Sequence, residues 1–518
     1  MGRTSDQAAG AFLHLWSLLA LLLTLAAMAQ WYFIPIHHDV AWSLFAAQRM
    51  LEGGRYVSDI FDMNPPLIYL LFMPGPALEK LLPLDSYQIT VYWIGLLVLV
   101  SAVLWYPQLL RILQGKRRLA GWVTLGLALT LMLGPGFDFA QREHFIVILI
   151  MPWLVGFAGE DPAGASRVTV GSCLAMVFAA LGFAIKPYYL LLPAALLFIQ
   201  VVRRRSVAPL LDPHLAILTL TGLLYLGFAA VFHPEFFAMV KMTRETYFGL
   251  DQPVRNLFDH PLWVTVLVPA AAWFLPQLRP VRRVSLLLAA AGILAVIPYF
   301  IQLKGWSNHL LPVFLLLQAS LMVMALEAIG RLGVTEDRRT VRFGLAGLLL
   351  LLVFLLTVHP SGGKHFFRSL GPEWRDNEVT QAIRTLAPGA NLALFSTDIH
   401  LMMSLFYYSG GGLGQRWCTL SVVPGILKLR ATGNQELADH YSRMIRRMMV
   451  EDLERYRPAL VWVDIAQEKY RIGQGFDYID FFMENPEFIK TWSHYTLLSS
   501  GPKWSVYVRR QFLNPLSS

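Results

Sequence analysis

Five short polar strings interrupt an otherwise apolar sequence: His37-His38-Asp39, Asp59 to Asn64, Asp138 to His144, Lys186-Pro-Tyr-Tyr189 and Lys304 to His309. Their residue types can move a proton, ligate a metal or hold an anion, and each string also has a plainer reading. Asp39 precedes an apolar-periodic stretch, where Asp commonly serves as a helix N-cap. His37, His38 and Asp39 could hold a divalent metal, although three ligands without a fourth make a weak site. Asp59 and Asp62 read first as turn residues, and Arg142-Glu143 as a local ion pair closing a loop. Lys186 could snorkel to a headgroup layer, and Trp306 suits an interfacial anchor.

The elements between the strings give them weight. The chain is 56% hydrophobic and 15% charged, against roughly 25% charged in an average soluble domain, so it reads as a polytopic α-helical membrane protein. A spanning helix needs about 20 apolar residues, and by that measure the sequence offers about eleven. They lie near Ala11–Ile36, Gln88–Tyr106, Leu119–Gly134, Phe145–Ala158, Val168–Phe183, Tyr188–Val202, Ala216–Phe232, Leu262–Phe274, Ser285–Phe300, Leu310–Ala328 and Phe343–Val358. Within the first, Ala27-Met28-Ala29 resembles a signal-peptide cleavage site, but the run is long for an h-region and only Arg3 precedes it, so it is expected to stay as a span.

The net charge of +9 does not point to nucleic acid, because Lys and Arg fall in short clusters between the apolar runs. Arg111 to Arg118, Arg203 to Arg205, Arg279 to Arg283 and Arg331 to Arg342, joined by Arg167, share one side when the N-terminus is cytoplasmic, which the positive-inside rule makes the cytoplasm. Cys173 and Cys418 sit in unlike surroundings, so neither a disulfide framework nor a Cys-based metal site is expected.

The expected domains are therefore a membrane domain over 1–358, with a first outer loop at 37–87, and an outer domain over 359–518. In that outer domain 392–396, 460–464 and 504–508 read as buried strands and Gln435–Tyr456 as a charged helix, which makes a small soluble α/β domain. In the first outer loop Val40, Leu44, Ala47 and Leu51 recur at helical spacing before Gly53-Gly54, which predicts a short surface helix. Pro65 to Leu82 reads as a half-immersed helix broken by Pro74 and Pro76. All five polar strings then fall on the outer face, where ionisable groups at membrane depth face a cavity, pair, or serve function. Asp398 and His400, after a strand end, are a further candidate contact for an acceptor.

The first loop resembles a family. His38-Asp39-Val-Ala-Trp42, then Ala47-Gln-Arg-Met-Leu-Glu-Gly53, Tyr56 and Asn64-Pro-Pro-Leu-Ile-Tyr69 are similar to the opening of the GT-C glycosyltransferases, in the protein O-mannosyltransferase and lipid A aminoarabinose transferase branch. The likeness covers about the first 70 residues and is compatible with the layout of the rest. It implies the GT-C fold and an inverting transfer from a polyprenyl-phosphate sugar, with Asp39 as the base that accepts the acceptor's proton. The family's cation beside Pro-Pro-Leu is replaced by Asn64, which leaves the donor phosphate to Lys186, Lys304, Arg142, His144 or His309, with Lys186 and Lys304 favoured by their aromatic neighbours. His38, Asp59, Asp62, Asn64, Asp138 and Glu143 are candidate contacts to donor or acceptor sugar.

Two functional classes follow. The first is a membrane glycosyltransferase of a bacterial inner membrane, with its N-terminus cytoplasmic and its C-terminal domain periplasmic. Its partners would be a polyprenyl-phosphate sugar, membrane lipids, and an acceptor that is lipid A, core oligosaccharide, a polysaccharide or a protein. No cofactor is fixed by the sequence, and a divalent metal is the candidate. The second is a transporter or flippase for a lipid-linked or small polar solute. The sequence shows no convincing internal repeat, and its charged groups cluster at helix ends rather than at the midplane.

Overall fold

The computed structural model describes residues 2–159, 168–260, 262, 267, 279–332, 375–399 and 402–512. The expected span at Phe343–Val358, most of that at Leu262–Phe274, the charges at Arg167, Arg338, Arg339 and Arg342, and His400 lie outside these residues.

In chain order the helices are α1 (Gly2–Phe33), α2 (His38–Leu51), α3 (Pro66–Phe72), α4 (Pro74–Glu79), α5 (Ser86–Ile112), α6 (Arg117–Leu133), α7 (Arg142–Ala158), α8 (Val170–Ile185), α9 (Leu191–Arg204), α10 (Pro213–Phe232) and α11 (Glu235–Thr246). They continue with α12 (Arg279–Leu294), α13 (Val296–Gln302), α14 (Leu311–Leu332), α15 (Glu378–Leu386), α16 (Met402–Ser409), α17 (Val423–Ala431), α18 (Gln435–Tyr456), α19 (Tyr478–Met483) and α20 (Pro486–Trp492). The chain forms two compact units. One comprises Met1–Ile34, Leu84–Gly227 and Gln252–Leu370; the other comprises Pro35–Pro83, Phe228–Asp251 and Gly371–Ser518.

The first unit is helical. Five helices among the described residues are long and apolar enough to cross a membrane: His14–Phe33, Ser86–Ile112, Pro213–Phe232, Arg283–Gln302 and Ser307–Leu326. At the expected positions α6, α7, α8 and α9 run 17, 17, 16 and 14 residues. Helix α7 is the centre, buried on every side from Glu143 to Val155. Helix α8 closes on it through Gly182, where an added Cβ would meet Leu149 and Ile150 at 3.1 Å. Local signals set the ends: Asp85 caps α5 by accepting from the Gln88 N–H at 2.8 Å, and Thr169 and Ser172 form a capping box on α8. At the other end of α8, Lys186 leaves the helix in an extended conformation (φ −142°, ψ 96°), as a residue before proline must.

The second unit is an α/β fold with the connection after α1, Pro35–Pro83, built into it. Strands β1 (Asn391–Phe395), β2 (Gly412–Leu413), β3 (Leu460–Asp464), β6 (Tyr495–Ser500) and β7 (Trp504–Arg509) form one sheet in the order β2-β1-β3-β7-β6. Its first three strands are parallel, with Leu392 opposite Leu460, and β7 is antiparallel to both of its neighbours. A small ribbon pairs β4 (Glu468–Lys469) with β5 (Gly473–Gln474). Strand β3 is buried along its whole length, as a central strand covered on both faces should be. The segment around α11 joins this unit by backbone approach: a Cβ on Gly425 of α17 would lie 1.9 Å from the Thr246 carbonyl oxygen.

Candidate functional site

Each unit contains one cluster of the residues singled out from sequence. In the second unit the cluster is built on α2. His37 is extended (φ −69°, ψ 143°) and is itself the N-cap, its Nδ1 accepting the Asp39 N–H at 3.1 Å. The capping role expected of Asp39 therefore belongs to His37. Asp39 sits in the first turn, where the positive end of the helix dipole suits a carboxylate. Its side chain is 29% exposed, with His38 Nε2 3.9 Å from Oδ1. One ligand atom each from His37, His38 and Asp39 lie within 4.8 Å of one another. Capping leaves His37 with one other ring nitrogen, and in the neutral ring that nitrogen carries the proton, so His37 cannot cap α2 and ligate through Nε2 in one neutral tautomer.

The rest of the loop is scaffold. Asp62 Oδ2 accepts from Trp42 Nε1 at 2.6 Å, Tyr69 OH at 2.7 Å and Asn64 Nδ2 at 2.7 Å, tying α2 to α3. Asn64 also offers its carbonyl to Tyr56 OH at 2.7 Å. Asp59 is buried and accepts from the Arg55 N–H and Ser58 Oγ, while its other oxygen lies 2.6 Å from Arg455 of α18. Burial opposes ionisation of Asp59, but the Arg55 N–H, Ser58 and Arg455 more than offset it and hold the carboxyl below its ordinary value. The Asp59 and Asp62 carboxylates, expected at turns or on a sugar, are engaged in holding the loop together.

Arg49 of α2 extends this scaffold across the unit. Its guanidinium donates to the carbonyls of Asp59 (2.8 Å), Gln415 (2.6 Å) and Leu413, and lies over the Tyr456 ring at 4.5 Å. The start of the helix is held too, because Ile36 accepts from Ser404 Oγ at 2.8 Å and donates to Tyr408 OH at 2.7 Å. A buried Arg416–Asp452 pair at 2.8 Å stiffens the receiving side, and the Arg416 carbonyl accepts the Phe61 N–H at 2.7 Å. At the end of β1 Asp398 is paired with Lys503 at 2.7 Å.

The first unit holds the second cluster. Lys186 is buried, donates to Glu143 Oε1, and also donates to Gln302 Oε1 at 3.2 Å. With its side chain 6% exposed, Lys186 does not snorkel. Glu143 thus pairs with a residue of another helix end rather than with its neighbour Arg142. His309 Nε2 lies 3.9 Å from the same Glu143 oxygen. Among the described residues Glu143 Oε2 and His309 Nδ1 are buried without a hydrogen-bond partner. Arg142 and Lys304 bear electrostatically on the His309 ring along with Lys186, which itself pairs with the Glu143 carboxylate.

Two other candidates are placed differently. His144 uses both ring nitrogens on backbone, one with the Leu131 carbonyl at 2.7 Å and one accepting the Ala140 N–H at 3.2 Å. It braces the turn before α7, where Ala140 has a positive φ of 65°, and has no nitrogen left for a phosphate. Asp138 is fully buried in that same turn. Sequence reasoning gave no role to Arg49, Trp42, Tyr69 or Gln302, although the first three fall within the strings that carry the family likeness. A further signal was an arginine inside a short amphipathic helix.

No family model and no curated protein matches the chain. Among solved structures it is similar over 97% of its length, and 98% of the other chain, to the crystal structure of ArnT from Cupriavidus metallidurans bound to undecaprenyl phosphate. The TM-score is 0.49 and the identity 14%, a likeness that assigns neither family nor activity.

Proposed function

We propose that this chain is a membrane glycosyltransferase that moves a sugar from a polyprenyl-phosphate carrier to an acceptor on the non-cytoplasmic side, by an inverting displacement with Asp39 as general base. The observation that carries the reading is the state of Asp39. It stands in the first turn of a helix fixed at both ends, with His37 serving as the N-cap, and its side chain is 29% exposed and 3.9 Å from His38 Nε2.

In the reaction Asp39 takes the proton from the attacking group of the acceptor as that atom bonds to the anomeric carbon. The bond from that carbon to the phosphate oxygen breaks, and its electron pair leaves with polyprenyl phosphate. The phosphate is already a competent leaving group and needs stabilisation of charge rather than protonation. Lys186, Lys304 and Arg142 supply the positive charge, Arg142 with the added capacity to grip two oxygens. A general base of this kind contributes roughly 100- to 10,000-fold to the rate.

The test is transfer in proteoliposomes from a labelled polyprenyl-phosphate sugar. Asp39→Asn should abolish release of polyprenyl phosphate while insertion and melting temperature stay at wild-type values. Full activity in that variant removes Asp39 from the mechanism, and a labelled donor that crosses the bilayer intact makes the chain a flippase.

A further inference from the structure

Glu143 is an odd residue to find in a cluster that binds phosphate. Its carboxylate is completely buried, shares one oxygen with Lys186 and leaves the other without a hydrogen-bond partner among the described residues. A buried carboxylate whose hydrogen bonds are incomplete is costly, and it repels any anion that enters the cluster. Lys186 does not need so strong a partner to stay in place, because Gln302 Oε1 already accepts from it at 3.2 Å.

The charges give this arrangement a use. Lys186 pairs with Glu143, whose bonded oxygen lies 3.9 Å from His309, and Lys186, Lys304 and Arg142 all bear on that ring, so against one carboxylate the charge felt there is net positive. The two lipid species such a cluster meets differ in charge. A glycosylated carrier is a phosphodiester with one negative charge, whereas the departing carrier is a monoester carrying about 1.5 to 2 near neutral pH. Without Glu143 the cluster would hold the more highly charged product hardest, and turnover would stall on it.

We infer that Glu143 is a charge selector, which lowers the preference of the Lys186 cluster for a polyprenyl phosphate monoester over the diester and so promotes product release. The inference rests on the proposal that this cluster holds the carrier phosphate. Unlike a sugar contact, a charge selector acts on a ligand that has no sugar.

Binding of undecaprenyl phosphate and of its methyl diester to the purified full-length protein in detergent tests it. Glu143→Gln should raise affinity for the monoester at least about tenfold more than for the diester at pH 7.5, since an unscreened unit charge at contact range is worth more than that. The gain should vanish at pH 5, where the monoester has taken up one proton and, like the diester, carries about one negative charge. Glu143→Asp, which keeps the charge, should hold the wild-type ratio. The double variant E143Q/K186Q removes the pair together, avoids a stranded buried charge, and should return the ratio to wild type. An unchanged ratio in E143Q, or a tenfold shift in E143D or in the double variant, overturns the charge selector. Wild-type binding of both lipids by Lys186→Gln would instead overturn the phosphate reading beneath it.

Discussion

Arg49 donates to the carbonyl of Gln415 at 2.6 Å although 366 residues separate them in the chain. Asp39 lies at the other end of the same fourteen-residue helix. A base must lie within hydrogen-bond reach of the proton it takes, so what fixes the helix fixes the chemistry proposed for it. Arg49→Ala would leave three carbonyls without their donor, at a cost of about 3 kcal/mol by the usual penalty for stranded buried acceptors. Arg49→Lys should recover only part of this, because an ammonium cannot span the fork. Both variants should lower kcat more than they raise KM, as measured in detergent melts and steady-state transfer; an Arg49→Ala protein with wild-type kcat would make the anchor irrelevant to positioning.

Trp42 and Tyr69 meet on Asp62 from α2 and α3. Trp42→Phe keeps the ring but removes one donor to a charged acceptor, which predicts a loss of roughly 1.5–3 kcal/mol. Chemical denaturation should register the loss, and Asp62→Asn should cost at least as much because three donors lose their anion.

Asp59 makes stability depend on acid. Its folded-state carboxyl is held below the ordinary value, so its contribution is present above the unfolded pKa of about 3.9 and is lost as pH falls through the folded value. Asp59→Asn should therefore destabilise the protein at pH 7 and flatten the acid side of its stability curve. Melting temperatures recorded from pH 3 to 7 check the sign, and a steeper acid limb in the variant would contradict it.

His144 separates a ligand from a brace. His144→Gln should lower the melting temperature through its lost bonds to Leu131 and Ala140 while leaving affinity for undecaprenyl phosphate within about twofold. A tenfold loss of affinity at unchanged stability would return His144 to the phosphate site.

Gly425 reports on how α11 is held. A Cβ there would lie 1.9 Å from the Thr246 carbonyl oxygen, so Gly425→Ala must push backbone away from backbone at a cost of about 1–3 kcal/mol or more. Faster cleavage by added protease near α11 should accompany the drop.

The legible parts of the molecule were those with a local cause. Continuous apolar runs announced the buried strands Leu392 to Phe395 and Leu460 to Asp464, and Gly53, at φ +85°, stopped α2 where its helical spacing ended. Gln435–Tyr456 could be read to the residue from its charged, apolar-striped pattern. The polar strings were legible as strings, yet their pairings were not. Nothing local says that Glu143 will choose Lys186 over Arg142, or that His37 rather than Asp39 will cap α2, because such choices follow from tertiary neighbours. The role of Arg49 was invisible for the same reason, its acceptors being main-chain oxygens that any residue types would have supplied.

The wide separation of the stretches that make the second unit also has a consequence for synthesis. At roughly 5–20 residues per second, the 366 residues between Arg49 and Gln415 take about 20–70 s to emerge. Through that interval the nascent α2 waits without the carbonyls that will grip its arginine. A ribosome that stops early leaves α2 without its far anchor, so C-terminal truncation should loosen the helix that carries Asp39 however far the cut lies from residue 39.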